Sequence, residues 1–511
     1  MLSLTTTLLS LSLLYLVYTL YTYLTSPLRQ IPGPFLASLT NYWRFLSVLQ
    51  GKHHEVQRTL HDTYGPAVRL GPNCITVTDP SLIKVLYPLQ KPRFIKSDYY
   101  KTSDFRHGKR ILHSSVSYRD EEAHTRMVRP VARFYTTTGV LRYEDRLNDV
   151  VKLFLQQLET RFVRPGGREV VCPIDDWLHF CAWDLIAAIT FSKDFGFLRR
   201  GEDVRGLIGQ SCKSLDYMAS VGQIPWLDDW VGKNYYIKFP VGTMIEGVKF
   251  AAEQLASRMR GEDKHDKETE PDLLDDFLAL REEDPEITDD RLVQYAFRNV
   301  AAGSDTTATS LRAVVYYLCR NPETQKRLHE ELEEVGVTDA VRSGDALRYA
   351  ELYKLPYLTA VIQEGFRIHP SVALSLERVV PDTGYVLPDG RYLPPGTIVG
   401  INPAVINRHK GVFGEDSDDF RPERWLKNDH ESEDEYKARL GKMKDTDMTF
   451  GHGKRICAGR HVAVVEIYKV IASLFSAFDV RLVDPNKEWK TKNSFFNRQW
   501  DMDVYLTKRV S

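Results

Sequence analysis

The segment Phe450-Gly-His-Gly-Lys-Arg-Ile-Cys-Ala-Gly459 decides how this 511-residue chain is read. It places one cysteine, Cys457, at the end of a glycine-punctuated loop. Directly after it, Val462, Val465, Ile467, Val470, Ile471 and Leu474 form a broad apolar face, so Arg460–Phe478 is expected to be a helix. Gly451 and Gly453 let the backbone turn where a side chain would block a flat ligand, and Gly459 allows close approach beside the sulfur. A cysteine just ahead of a helix start lies near the positive end of the macrodipole and its free N–H groups, and both favour thiolate over thiol. A lone cysteine in an apolar region is most often a small buried hydrophobe. The pattern Phe-x-x-Gly-x-Arg-x-Cys-x-Gly is far more specific than the cysteine alone.

That pattern is the signature of the heme-thiolate monooxygenases, the cytochrome P-450 enzymes, and this sequence resembles them over essentially its whole length. The resemblance implies heme b as cofactor, Cys457 as axial iron ligand and Phe450 beside it in the cofactor loop. It also implies a cytochrome P-450 fold. Hydrophobic periodicity agrees, because helical spacing dominates from about Thr137 onward. It is found in Leu141–Phe162, Ile174–Phe191, Val248–Met259, Arg291–Arg320, Pro322–Val335 and Leu355–Ile368. Strand-like runs are few: Ala67–Leu70 with Ile75–Val77, Val379–Val380, and Ile398–Ile401. The expected class is mainly α, a single large helical domain with small peripheral β-sheets. The charged stretches Arg260–Asp290 and Asn428–Asp447 read as solvated connections, the first with a short helix around Leu273–Leu278.

Three further segments carry the resemblance. Ala301-Ala-Gly-Ser-Asp-Thr-Thr307 lies mid-helix, where Gly303 costs about 1 kcal/mol against Ala and leaves room for something to press on the backbone. Thr306 can loosen the ladder by bonding back to a carbonyl. By resemblance, Asp305 and Thr306 guide protons to bound dioxygen, and Gly303 borders the cofactor. Glu364-Gly-Phe-Arg367 places a carboxylate and a guanidinium on one helix face. Most such pairs are exposed and worth about 0–1 kcal/mol. With Arg424 of Pro422-Glu-Arg-Trp425, the resemblance makes them a buried structural network. Heme carries two carboxylates, so forked cations are needed. Arg455 and Arg378 match the family's propionate partners, and His124 matches a third. The arginine usual four residues beyond is Val128 here, which leaves open whether Arg126 or Arg129 replaces it. The stretch from Arg408 to Leu426 looks like the fungal secondary-metabolism branch, near the pisatin-demethylase-like group.

Charge is nearly balanced, 68 Lys+Arg against 69 Asp+Glu, so nothing argues for a nucleic-acid partner. Six scattered cysteines make neither a disulfide framework nor a zinc or iron–sulfur motif. The first 28 residues carry no charged side chain, and Leu2–Leu24 is long enough to span a bilayer. Residues 1–27 are therefore expected to be a single-pass transmembrane anchor, with a cleaved signal peptide or a buried helix as the alternatives. Residues 28–511 would be the catalytic domain, joined through Ile31-Pro-Gly-Pro34. Arg29, Arg44 and Lys52 beyond the span predict that this domain faces the cytoplasm, at the endoplasmic reticulum.

The function implied is hydroxylation, epoxidation or oxidative dealkylation of a hydrophobic small molecule, with electrons from an NADPH-cytochrome reductase and with membrane lipid as a further partner. No Gly-x-Gly-x-x-Gly follows a strand-like run, so NADPH binds elsewhere. Arg126, Arg129, Lys442, Lys444 and Lys454 could face the reductase. The expected substrate pocket draws on Tyr99–Val116, Ser211–Lys238, Phe297, Val300, Val372–Leu376, Phe495 and Phe496. The alternatives are a heme-thiolate enzyme that rearranges hydroperoxides without dioxygen, a non-enzymatic membrane heme protein, and a structural membrane protein without heme. Cys457→Ala is expected to abolish the long-wavelength Soret band of the reduced, carbon monoxide-treated protein; a mutant that keeps the band would remove Cys457 from the ligand role.

Overall fold

The computed structural model describes residues 4–90, 94–107, 110–234, 236, 244–263 and 271–509. At the N-terminal end lie α1 (Leu4–Thr25), α2 (Phe35–Leu39) and α3 (Tyr42–Leu49). A five-stranded sheet gathers β1 (Ala67–Gly71), β2 (Cys74–Val77), β3 (Ile95–Lys96), β4 (Arg378–Val379) and β5 (Ile398–Gly400) in the order β1-β2-β5-β4-β3. β2 and β5 run parallel and the other neighbours antiparallel. The β3–β4 register sets Lys96 directly opposite Arg378.

The helices that build the interior are α4 (Glu121–Val128), α5 (Glu144–Phe162), α6 (Ile174–Phe191) and α7 (Leu207–Val221). They continue with α8 (Pro225–Trp230), α9 (Asp289–Arg320), α10 (Pro356–Ile368) and α11 (Arg460–Ala477). A hairpin of β6 (Lys490–Ser494) and β7 (Phe496–Trp500) closes one end. α9 starts where Thr288 accepts from the Arg291 N–H, with Asp289 and Asp290 in the first turn, where negative charge suits the helix dipole. α6 is apolar nearly all round and correspondingly buried on all sides, packed between α5 and α9. Trp183, Leu185, Leu311, Val315, Ile471 and Phe475 are among the fully buried side chains that join α6, α9 and α11 into one core.

Two expectations are corrected. Asn428–Asp447 is not merely a connection: Ser432 and Glu435 form a capping box that starts a helix over Glu433–Thr446. The N-terminal helix forms, but no helix among the described residues is long and apolar enough to cross a membrane. α1 has the length, at 22 residues, but its hydroxyl residues dilute it. Thr19, Thr22 and Thr25 turn their hydroxyls back onto helix carbonyls one turn earlier. Leu9, Leu11, Leu13, Leu14, Leu16 and Val17 are all exposed.

The expected ion network is present and completely buried. Arg367 grips Glu364 with Nε at 2.8 Å and Nη2 at 2.7 Å. Arg424 Nε, Trp425 Nε1 and the Arg421 backbone N–H donate to the same carboxylate at 2.8, 2.8 and 2.9 Å. Burial pushes the Glu364 carboxyl up, but these donors outweigh it and hold it below the ordinary glutamate value of 4.5. A lowered folded value means that the stability it contributes is present above that ordinary value and is lost as pH falls through the folded one. Glu364→Gln is expected to cost about 3–5 kcal/mol, because it leaves two buried guanidinium groups uncompensated. Denaturant unfolding at pH 7 reads this; a loss under about 1 kcal/mol would show the network to be replaceable.

Candidate active site

The cysteine loop is shaped by one glycine above all. Gly453 has φ +70°, and a Cβ there would lie 2.0 Å from the Tyr87 carbonyl oxygen. The Cys457 N–H donates to the Phe450 carbonyl at 2.9 Å, closing the loop, and the Phe450 ring packs edge-on to Phe366 at 5.4 Å. Asn407 ties the loop's base: its side-chain oxygen accepts from Met448 N at 2.8 Å, and Arg367 donates to its carbonyl at 3.0 Å. The ion network is thus linked through Asn407 to the segment that leads into Cys457.

Cys457 is exposed although it lies deep inside the protein, so the surface it offers faces an internal space. A Cβ at Gly459 would meet nothing within 4 Å, so there is open room beside the sulfur. Burial raises the thiol's pKa, opposed by the N–H groups of Gly459 and Arg460 and by the charges of Arg460 and Arg298. The helix-start effect anticipated from sequence is therefore real but smaller than desolvation, and a cation at the sulfur would be needed to hold the thiolate.

α9 presents the second inward surface. Ala302 is exposed in the middle of this otherwise buried helix, with Ala301, Gly303 and Thr306 half-buried. Thr306 Oγ1 donates to the Ala302 carbonyl at 2.7 Å, as its type and place suggest. Gly303 points elsewhere: a Cβ there would lie 2.8 Å from Ile186 Cδ1, so the glycine lets α6 pack on α9. The wall facing the space is built by Ala302, one position earlier, which sequence reasoning missed. Asp305 also turns away. Its carboxylate, 3 % exposed, accepts from His179 Nε2 at 2.7 Å and from the Ser211 hydroxyl.

The cations converge. Lys96 and Arg378, paired across β3 and β4, are 8 % and 5 % exposed. Like charges directly opposite on adjacent strands repel. Burial first, then the charges of Arg378 and Arg455, hold the Lys96 ammonium well below the ordinary lysine range. Arg455 pairs with Glu121 at 2.8 Å, yet its Nη1 is buried with no partner among the described residues, as is Nη2 of Arg298. His124 is half-buried in the same cluster. Burial, then the charges of Arg455, Lys96 and Arg298, push its pKa down to about 3. Arg126 and Arg129 are exposed, while Lys96 and Arg298 stand with Arg455 among the charges that act on His124. Unpaired buried guanidinium nitrogens and a repelling cation pair are the donor set a flat dicarboxylate would satisfy, and heme is such a group.

Most of the expected pocket also assembles. Tyr99, Tyr100, Leu215, Ala219, Leu374, Phe495 and Phe496 form one apolar cluster with Val48, flanked by Met218 and Val372. Phe297 and Val300 belong instead to the central core. Residues 108–109 and 235, 237 and 238 of the anticipated pocket segments lie outside the described residues. Glu466 was not anticipated. It lies fully buried on α11, accepting from Thr307 Oγ1 at 3.2 Å, and burial pushes its carboxyl up to about 8. A glutamate inside an otherwise apolar helix face was its only signal.

A glycine-lined cysteine loop, an opened central helix and a cation clamp define the heme-thiolate class. The family model for Cytochrome P450 matches residues 32–500, and the chain belongs to that family. It is 38 % identical to cytochrome P450 monooxygenase cfoH of Aspergillus candidus, covering 97 % of this chain and 91 % of that one. It is 35 % identical to cytochrome P450 monooxygenase cicH of Emericella nidulans over 92 % of this chain and 91 % of that one. A third relative, cytochrome P450 monooxygenase mpaDE of Penicillium roqueforti, is 35 % identical over 94 % of this chain, which spans 55 % of its length. The protein is a heme-dependent monooxygenase and, as such, draws electrons from a reductase and acts on hydrophobic substrates.

Lys96→Met is expected to speed heme loss by about tenfold, the effect of one charged hydrogen bond, while Arg126→Ala and Arg129→Ala leave it unchanged. Heme transfer to apomyoglobin measures this, with far-ultraviolet circular dichroism as the check on folding. Equal retention in all three variants would exclude Lys96 from the clamp.

Proposed function

We propose that this chain is a tailoring monooxygenase of secondary metabolism, hydroxylating, epoxidising or oxidatively dealkylating a lipophilic compound. Its overall reaction consumes substrate, dioxygen, one NADPH and one proton, and releases oxidised substrate, water and NADP+. The observation that carries the reading is the cation cluster of Lys96, Arg298, Arg378 and Arg455, with buried guanidinium nitrogens that find no partner among the described residues, which calls for a dianionic cofactor beside an accessible Cys457. Bound there, heme supplies dioxygen activation, and a thiolate ligand favours O–O cleavage. Cys457 would ligate the iron, with the N–H groups of Gly459 and Arg460 directed at its sulfur. Arg378, Arg455, Lys96 and Arg298 would hold the propionates.

The remaining work belongs to the protein. The Tyr99–Leu215–Leu374–Phe495–Phe496 cluster binds an apolar substrate and excludes water. Thr306 offers a hydroxyl at the gap beside Ala302, and Ser371 donates to the Thr306 carbonyl at 2.8 Å, holding that turn of α9 in place. Asp305 supplies the carboxylate of the proton-delivery pair behind it. Arg126, Arg129, Lys442, Lys444 and Lys454 are all exposed and offer an NADPH-cytochrome reductase a positive docking face. The domain attaches to the endoplasmic reticulum from the cytoplasmic side. What supports this is the uncovered apolar surface of α1, with Phe35 and Leu36 of α2 and Trp226 and Trp230 of α8 also exposed. α1 would lie in that surface without crossing it.

Spin-state shifts across a panel of lipophilic metabolites should pick out ligands, and those should be oxidised only with reductase, NADPH and dioxygen together. Turnover of a fatty-acid hydroperoxide without reductase, with no NADPH-driven oxygen consumption, would favour the rearranging alternative.

A further inference from the structure

The partners of Asp305 determine a tautomer. His179 lies on α6, 6 % exposed, with Nε2 2.7 Å from Asp305 Oδ1 and Nδ1 3.1 Å from Arg312 Nη2. A guanidinium has only donors, so Nδ1 must accept. The ring proton is then on Nε2, where it donates to Asp305. An imidazolium would set an N–H against Arg312, and Arg312 is itself fixed by donating from Nε to the Asp175 carbonyl at 2.9 Å. Burial first, then the Arg312 charge, lowers the His179 pKa, which agrees with a neutral ring. Ser211 of α7 supplies the donor to the other Asp305 oxygen. Burial pushes the Asp305 carboxyl up, but His179 and Ser211 outweigh it and keep it below the ordinary aspartate range.

We propose that His179, held as the Nε2–H tautomer by Arg312, is a positioning residue that fixes the Asp305 carboxylate as an acceptor anchored behind the Thr306 gap, and so controls proton delivery during turnover. His179 does not relay protons: its only other nitrogen faces Arg312, which gives none up. Without this donor, Asp305 is a buried carboxylate short of a partner. It takes up a proton and binds elsewhere, and delivery at the gap fails. The inference rests on the monooxygenase reading and on Asp305 as its acid.

The test needs no identified substrate. Reduced through the reductase without substrate, dioxygen either takes two electrons and two protons to hydrogen peroxide, using one NADPH, or four electrons and four protons to water, using two. The second branch depends on further proton delivery. Wild type is expected to consume between one and two NADPH per dioxygen. In His179→Leu, the water branch should fall about tenfold, the effect of losing one hydrogen bond to a charged group, with peroxide rising to match. His179→Gln, which keeps one donor and one acceptor in the same places, should restore the wild-type partition; a merely space-filling role would not distinguish Gln from Leu.

Nitrogen-15 NMR of histidine-labelled, reduced, carbon monoxide-bound protein reads the tautomer directly, assigned by the signal lost in His179→Gln. An unprotonated Nδ1 at pH 7 supports the proposal, and an imidazolium overturns it even if the leucine variant fails to fold. Unchanged partition in His179→Leu, or a glutamine variant as impaired as leucine, overturns it and leaves the monooxygenase reading intact. An absence of NADPH-driven oxygen consumption in wild type overturns both.

Discussion

Glu364 is a carboxylate with no exposure to water, and it accepts five hydrogen bonds from Arg367, Arg421, Arg424 and Trp425. Removing a charge from water costs several kcal/mol unless its partners are complete. That demand forces α10, the loop bearing Arg424 and the segment at Asn407 into one arrangement, since Arg367 and Arg424 also bind the carbonyls of Asn407, Phe413, Ser417 and Asp419. Asn407 in turn holds Met448, and the chain from Met448 leads into the cysteine loop. The position of Cys457 is therefore inherited from an ion pair that touches no reacting atom.

The opposite end of the site has the reverse character. Glu364 is over-supplied with donors, whereas Arg455 and Arg298 are left with N–H donors that find no acceptor among the described residues. Lys96 and Arg378 are held face to face by strand register. A fold keeps such a cluster only if something anionic completes it, so cofactor binding and stability are linked at this sheet edge. His124 belongs to the same electrostatics, since burial and the charges of Arg455, Lys96 and Arg298 all lower its pKa.

Periodicity was a sound guide to the interior because burial enforces it. The bounds of α6 and nearly those of α9, α10 and α11 follow from apolar spacing and caps. It failed at the charged surface, where the Glu433–Thr446 helix depends on a local capping box and not on a buried face. It also overstated α1, whose length suits a bilayer while its hydroxyls do not. Within the site, the residue types were legible and their directions were not. Gly303 and Ala302 are neighbours in a motif, yet successive helix positions are rotated by about 100°, so one meets Ile186 and the other the open space.

The amino-acid sequence by itself determined the class of this protein. One cysteine in a patterned loop, a central helix with an acid and an alcohol, and a Glu-x-x-Arg are local signals whose chemistry has few other uses together. Only the tertiary structure decided which cations meet, since Lys96 and Arg378 are 282 positions apart and join through strand pairing. It alone decided that Asp305 faces His179, 126 positions away, and not Thr306 beside it. The physical reason is the same in both cases. Burial sets how much an unpaired charge costs, but which partner answers it depends on packing between elements that the chain's order does not encode locally.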